Sequence, residues 1–256
     1  ITTAGDGNWN STTVNAPWPG GVVPSSLDNV QIRPGDDVTV TANATINSIT
    51  FLNTSNTTRT FTVNSGVILT VSGISGNITL QNANSGNTAA TIAGTGTINC
   101  TTVTVGGTNT ATTNDGVTTL TSTISTFSIS GNLFINAEDN GAFENDAIFS
   151  LSTGTVTVAG TVVLDSDTDD NDADATFTMD LGTDNGTLVL TGATPFSLSG
   201  MGGELLDFDG LTGGNTTTVN YNGGSQTVQP STYRNLVLSG SGTKTLTGVA
   251  DINRNL

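Results

Sequence analysis

Histidine is absent from this 256-residue chain, and only Arg33, Arg59, Arg234, Lys244 and Arg254 carry positive charge. General acid–base chemistry near neutral pH therefore has few agents. The 21 acidic residues leave a formal charge of −16, and no cation lies between Arg59 and Arg234. A surface of that kind repels nucleic acid, anionic lipid and polyuronates, whose binding relies on Lys and Arg. The single cysteine, Cys100, excludes an intramolecular disulfide; within Ile98-Asn-Cys100-Thr-Thr-Val103 it reads as a small core residue. No apolar run approaches the ~20 residues that would cross a bilayer as a helix, so no membrane span is expected. Helix formers are scarce and no window repeats its apolar residues every 3.6 positions. Phosphate-loop, zinc, nucleophile-elbow and dinucleotide signatures are all missing. The opening at Ile1 has neither a basic region nor an apolar stretch behind it, so any signal peptide is expected to be removed or never present.

What fills the chain instead is Thr, Asn, Gly, Ser and Val. β-Branched residues fit a pleated surface, and Gly and Asn supply corners with positive φ. Phe followed by Ser or Thr and then an apolar residue occurs at Phe61, Phe127, Phe149, Phe177 and Phe196. Gly-Thr-apolar-x-apolar recurs at 154–158, 160–164 and 186–190, and Asn-apolar-x-apolar at 77–80, 132–135 and 235–238. Such repetition points to a solenoid. Strands of three to five residues, three to a coil of roughly 20–30 residues, match a parallel β-helix. The expected fold is all-β: one right-handed parallel β-helix, its hand following the general crossover preference. Residues 1–29, with Trp9, Trp18, Pro17, Pro19 and Pro24, read as an N-terminal cap, and 30–256 as the coils. Asn255-Leu256 begins another phrase, so the coils are expected to continue beyond the chain given. Phe127, Phe149, Phe177 and Phe196 are expected to share an aromatic ladder, with the intervening Ser and Thr facing solvent.

Twelve acidic residues fall between Glu138 and Asp184. Asp165, Asp167, Asp169, Asp170, Asp172 and Asp174 form the densest run, read as a loop. Glu138, Asp139, Glu144 and Asp146 occupy the corresponding loop one coil earlier. Stacked carboxylates repel unless a cation lies between them, and hard oxygen ligands suit Ca²⁺. The expected metal ligands are Glu138, Asp139, Asp165, Asp167, Asp169, Asp170, Asp172 and Asp174. Asp170 and Thr176 stand where an EF-hand needs Gly and Glu, so this is no EF-hand. A hydrated acidic loop without metal is the competing reading.

Parallel β-helices also host polysaccharide lyases and hydrolases. Asp36-Asp37, or Asp207 with Asp209, offer the carboxylate pairs such chemistry needs. With no histidine and few cations, the chain is expected not to be an enzyme. Ice binding is a third class, since Thr155/Thr157, Thr176/Thr178 and Thr243/Thr245/Thr247 form pairs or runs, but their spacing varies too much for a regular rank.

Tyr221-Asn-Gly-Gly, Gln226-Thr-Val228, Tyr233-Arg-Asn-Leu236 and Leu238-Ser-Gly-Ser-Gly-Thr-Lys-Thr-Leu246 resemble repeats in large secreted surface proteins of gliding Bacteroidota, the SprB-like adhesins and related type IX secretion cargo. Gly7-Asn-Trp9, Gly20-Gly-Val-Val-Pro24, Asp28-Asn-Val30 and Val38-Thr-Val40 resemble the start of mature proteins in that group. The two regions cover about a third of the chain. The resemblance implies an extracellular structural or adhesive role at the bacterial cell surface, without catalytic residues. Its expected partners are surface glycans, other cell-surface proteins, or further copies assembling into a filament; a polysaccharide-binding or polysaccharide-cleaving β-helix is the alternative.

Overall fold

The computed structural model describes residues 1–53, 56–73, 76–82, 86–107, 115–139, 144–166, 173–179, 184–200, 203–208 and 216–255. Short strands return again and again to the same three sheets, and the chain winds as a parallel β-solenoid. The first sheet is built from Asn29–Ile32, Ser48–Phe51, Asn77–Leu80, Thr102–Gly106, Leu133–Asn136, Val162–Asp165 and Phe196–Ser199. The second runs from Gly7–Asn8 and Val38–Val40 through Thr57–Val63, Thr88–Ala93, Gly116–Ser122, Glu144–Leu151 and Ala175–Thr178 to Glu204–Asp207. The third begins with Ala44–Ile46, Ile68–Val71, Thr97–Cys100, Thr126–Ile129 and Thr155–Val158. It continues with Thr187–Leu190, Thr218–Tyr221, Thr232–Leu238 and Asp251–Asn255. Apart from one short 3₁₀ turn, Pro19–Gly21, no helix interrupts the described residues.

Register explains why alternation in the sequence becomes a core. In the first sheet Val30, Ile49, Ile78, Val103, Leu133, Val162 and Phe196 stack in one inward column, six turns in all. Leu69, Ile98, Phe127, Val156, Leu188, Val219 and Leu236 do the same in the third. Every member of both columns is buried. Each contributes about 1.5–3 kcal/mol by leaving water, while the ladder satisfies the backbone from coil to coil.

The recurring phrases now have physical causes. Gly154 has φ +76°, and a Cβ there would stand 1.9 Å from the Ile124 carbonyl oxygen of the previous coil. At Gly160 it would meet the Gly131 carbonyl oxygen at 2.5 Å, besides Asn132 Oδ1 at 2.2 Å. These corners pack backbone on backbone, and only glycine fits. In the Asn phrase, the side chain reaches along the stack: Asn132 Oδ1 accepts the Thr161 N–H at 2.9 Å.

The single aromatic ladder does not form. Phe127 lies in the third sheet, Phe196 in the first, and only Phe149 and Phe177 are register partners, with ring centroids 5.4 Å apart. The intervals of 22 and 19 residues around that pair are not whole coils, so they carry the phrase to a different face. The Ser and Thr of the phrase also diverge: Ser150, expected to face solvent, is fully buried with no hydrogen-bond partner.

Candidate functional site

The acidic residues gather at one corner of the solenoid, where the chain leaves the first sheet for the second. Register pairs Asn136 with Asp165, and the coil entries that follow, Asp146 and Asp174, are joined by the Asp174 N–H donating to Asp146 Oδ1 at 2.9 Å. The described ends of the two acidic segments thus lie at equivalent places one coil apart. The earlier one is not a plain loop. Glu138–Asp139 is a short strand pairing antiparallel with Glu144–Leu151, opposing Glu138 to Asn145 and Asp139 to Glu144.

Asp165 ends a first-sheet strand; its exposed carboxylate accepts the Ser199 hydroxyl at 2.6 Å. Asp174 lies at the entry to the second-sheet strand, across the corner from Asp165. Asp167, Asp169, Asp170 and Asp172 lie outside the described residues. Among the described residues no group of three or more acidic, histidine or cysteine side chains is arranged to hold a metal ion.

Several of the carboxylates have a structural task that the sequence reading missed. Asp6 Oδ1 accepts the Asp37 N–H at 2.8 Å, Asp37 Oδ1 that of Thr60 at 2.6 Å, and Asp115 Oδ1 that of Glu144 at 3.2 Å. Asn87 repeats the pattern with Val117 at 3.2 Å, and Asn43 with Ile68, in the third sheet, at 2.8 Å. In each case an Asp or Asn at a strand entrance binds the backbone of the equivalent residue one coil on, which extends the ladder into the corner. The signal was present as an Asx residue immediately before each strand. At Asp146 this arrangement is under strain of charge. Partial burial raises its carboxyl above the usual value; the Asp174 N–H opposes that, while the Asp174 and Asp115 carboxylates add to it.

Of the two carboxylate pairs that catalysis would need, Asp36 and Asp37 turn to different partners. Asp36 is buried, accepts the Thr3 hydroxyl at 2.6 Å and pairs with Arg33 at 3.0 Å, while Asp37 serves the ladder. Asp207 accepts the Thr178 hydroxyl at 3.3 Å; Asp209 is outside the described residues. Cys100 is buried, and burial pushes its thiol up to about 12, away from nucleophilic use.

The threonines sort by sheet. Thr155 and Thr157 are on the third, Thr176 and Thr178 on the second, and Thr245 in the small two-stranded sheet of Gln226–Val228 and Lys244–Leu246. A rank nevertheless exists that pair spacing did not reveal. Thr97, Thr126, Thr155, Thr187 and Thr218 are successive register partners on the outer side of the third sheet. Corners of differing length absorb the irregular spacing. No family model matches the chain, and neither a curated protein nor a solved structure is similar to it.

Proposed function

We propose that this chain is an extracellular structural and adhesive module of a bacterial cell-surface protein or filament, non-catalytic, with a right-handed coil and residues 1–29 as its cap. The observation that carries the reading is the unbroken parallel stack. One sheet of nine strands runs from Ala44–Ile46 to Asp251–Asn255 with a buried apolar column beneath it. Such a rod transmits load along its ladders while the hydroxyls and amides on the outer sides of its sheets meet glycans, other surface proteins or further copies. The sequence resemblance to SprB-like adhesins supports the same reading. Display of the chain on a non-adherent bacterium, with attachment to cell-wall and glycan-coated surfaces measured against an empty display vector, tests it. Raised attachment is expected; background attachment with display intact would remove the adhesive role. Release of reducing ends from a polysaccharide panel would instead favour an enzyme.

Calcium at the acidic corner is part of the proposal, favoured by the stacking of Asp146 over Asp174. EDTA should then lower the melting temperature by several degrees, and an unchanged value would discard the metal. The threonine rank of the third sheet favours a second reading, ice binding, which thermal hysteresis would detect.

A further inference from the structure

The outer side of the first sheet differs from the other two. Two columns run up it. One contains Asn29 paired with Ser48 and Asn77 paired with Thr102, the two pairs being linked by the adjoining partners Ile49 and Ile78, so it spans four coils. The other contains Gln31, Thr50, Thr79, Thr104 and Phe134. Between the first three coils these side chains, with Asn47, line a shallow polar groove. Neither column carries a charge, in a molecule of net charge −16. Phe134 is the only aromatic side chain among the described residues that is not buried.

The amides are held in place. Asn29 Oδ1 accepts from Asn47 Nδ2 at 2.6 Å and from the Ser48 hydroxyl at 2.7 Å, and Asn77 Oδ1 accepts from the Thr102 hydroxyl. Gln31 Oε1 accepts the Thr2 hydroxyl at 2.7 Å. Their oxygens are thereby occupied, and the NH₂ groups of Asn29 and Asn77 have no acceptor among the described residues. Oriented donors beside hydroxyls that both donate and accept are what a sugar hydroxyl requires. Successive positions in a column are one strand spacing apart, about 4.8 Å, close to the advance per residue of an extended β-linked sugar chain. An aromatic ring at the end of such a track receives the C–H face of a pyranose. Neither column holds a Lys or Arg side chain to receive a nucleic acid or polyuronate.

We propose that this face binds a neutral, extended β-linked polysaccharide running parallel to the solenoid axis, with Asn29, Asn77 and the column hydroxyls as hydrogen-bonding groups and Phe134 as stacking platform. The proposal rests on the adhesive reading and assigns its ligand class and its face.

Calorimetric titration of the whole chain with cellohexaose and chitohexaose, and with hexagalacturonate as the charged counterpart, tests it. At least one neutral hexasaccharide should bind, and hexagalacturonate at least tenfold more weakly. Phe134→Ala and Asn77→Ala should each weaken binding about five- to tenfold. Thr157→Ala on the third sheet should not alter it, and Phe134→Tyr should retain it; melting curves of all four confirm that each is folded. Failure of both neutral probes to bind, or an equal loss in Thr157→Ala, overturns the proposal. Cell attachment that persists in Phe134→Ala and Asn77→Ala displays would sink this face while leaving the adhesive role standing. Hexasaccharide binding by a chain that does not attach when displayed would do the reverse.

Discussion

The coils up to Tyr221 and those after it solve the same problem with different materials. Between Val30 and Phe196, one turn of the first sheet takes 19, then 29, 25, 30, 29 and 34 residues. Beyond Tyr221 the step shrinks: Gln226 pairs with Lys244, 18 residues on, and Thr232 with Asp251, 19 on. Among the described residues the first and second sheets have ended, and the third continues together with the small sheet. A shorter loop of chain encloses less space and offers fewer inward positions. Its interior is accordingly hydrogen-bonded as well as apolar. The Tyr221 and Tyr233 hydroxyls meet at 3.0 Å, and Gln226 Nε2 donates to the Leu190 and Gly192 carbonyls at 3.0 and 2.7 Å. Lys244 Nζ donates to the carbonyls of Gly223, Gly224 and Ser241 at 2.7–3.0 Å. The segment resembling adhesin repeats is this short-coil segment, and the other resemblance adjoins the 19-residue first step. The long middle coils, with the acidic corner, are where the resemblance lapses.

The largest expected difference lies in packing. Phe177 stacks on Phe149 and meets Phe208 edge-on at 5.8 Å, so Phe177→Ala should remove about 3–5 kcal/mol. Leu246, in the short coils, is 52% exposed, and Leu246→Ala should change stability by less than about 0.5 kcal/mol. Denaturant midpoints of the two variants measure this directly. Equal losses would mean that the strand Lys244–Leu246 packs into the core that Val228, Tyr233 and Leu236 already join.

Alkaline titration comes next. Burial raises both phenols, Tyr221 and Tyr233, above their ordinary value of 10. The folded chain then favours the neutral form, so their contribution is complete below pH 10 and is lost as pH rises beyond it. In the body, Cys100 acts likewise between its ordinary 9 and about 12. Arg59 acts oppositely. Its guanidinium is buried among the carbonyls of Ile32 and Leu52 and the Thr88 hydroxyl, and burial lowers it to about 10, with Asp36 opposing. That cost is relieved as pH climbs from about 10 to 12.5. Amide exchange should therefore show the short coils opening first above pH 10, and the Tyr221→Phe, Tyr233→Phe double variant should lose that preference. A body that opened first would invert the comparison.

How much of this could be read beforehand follows from what each signal measures. Alternation fixed which side of each strand turned inward, because the side-chain period of two survives any change of coil length. That Asp165 and Asp174 flank a corner one coil after Asn136 and Asp146 follows from the same period, since each segment comes after a first-sheet strand. Which residues share a column was not. Phe127, Phe149, Phe177 and Phe196 look equivalent as words, yet register depends on every residue spent in the corners between them. The threonine rank was hidden by the same arithmetic, and Phe134 was passed over because its phrase, Asn-Leu-Phe-Ile, places it outward rather than in. The hairpin at Glu138–Asp139 broke the expected loop because strand pairing there is decided by neighbours across the corner, not by composition.

The smallest effect bears on the acidic corner. Asp146→Asn keeps an oxygen to accept the Asp174 N–H while removing the carboxylate that Asp174 and Asp115 oppose. Because the folded carboxyl is raised, its charged form is disfavoured by folding. Stability is complete below the ordinary carboxylate range, near 3.8, and declines as pH rises through the raised value. At neutral pH the variant should therefore melt about one to two degrees higher than the parent, and the gain should vanish on acidification to pH 3. Calcium reverses the sign: if a bound cation already offsets the repulsion, removing the charge weakens the site, and the variant melts lower in calcium and higher in EDTA. Melting curves of both chains in the two media separate a corner stabilised by metal from one that tolerates its own charge.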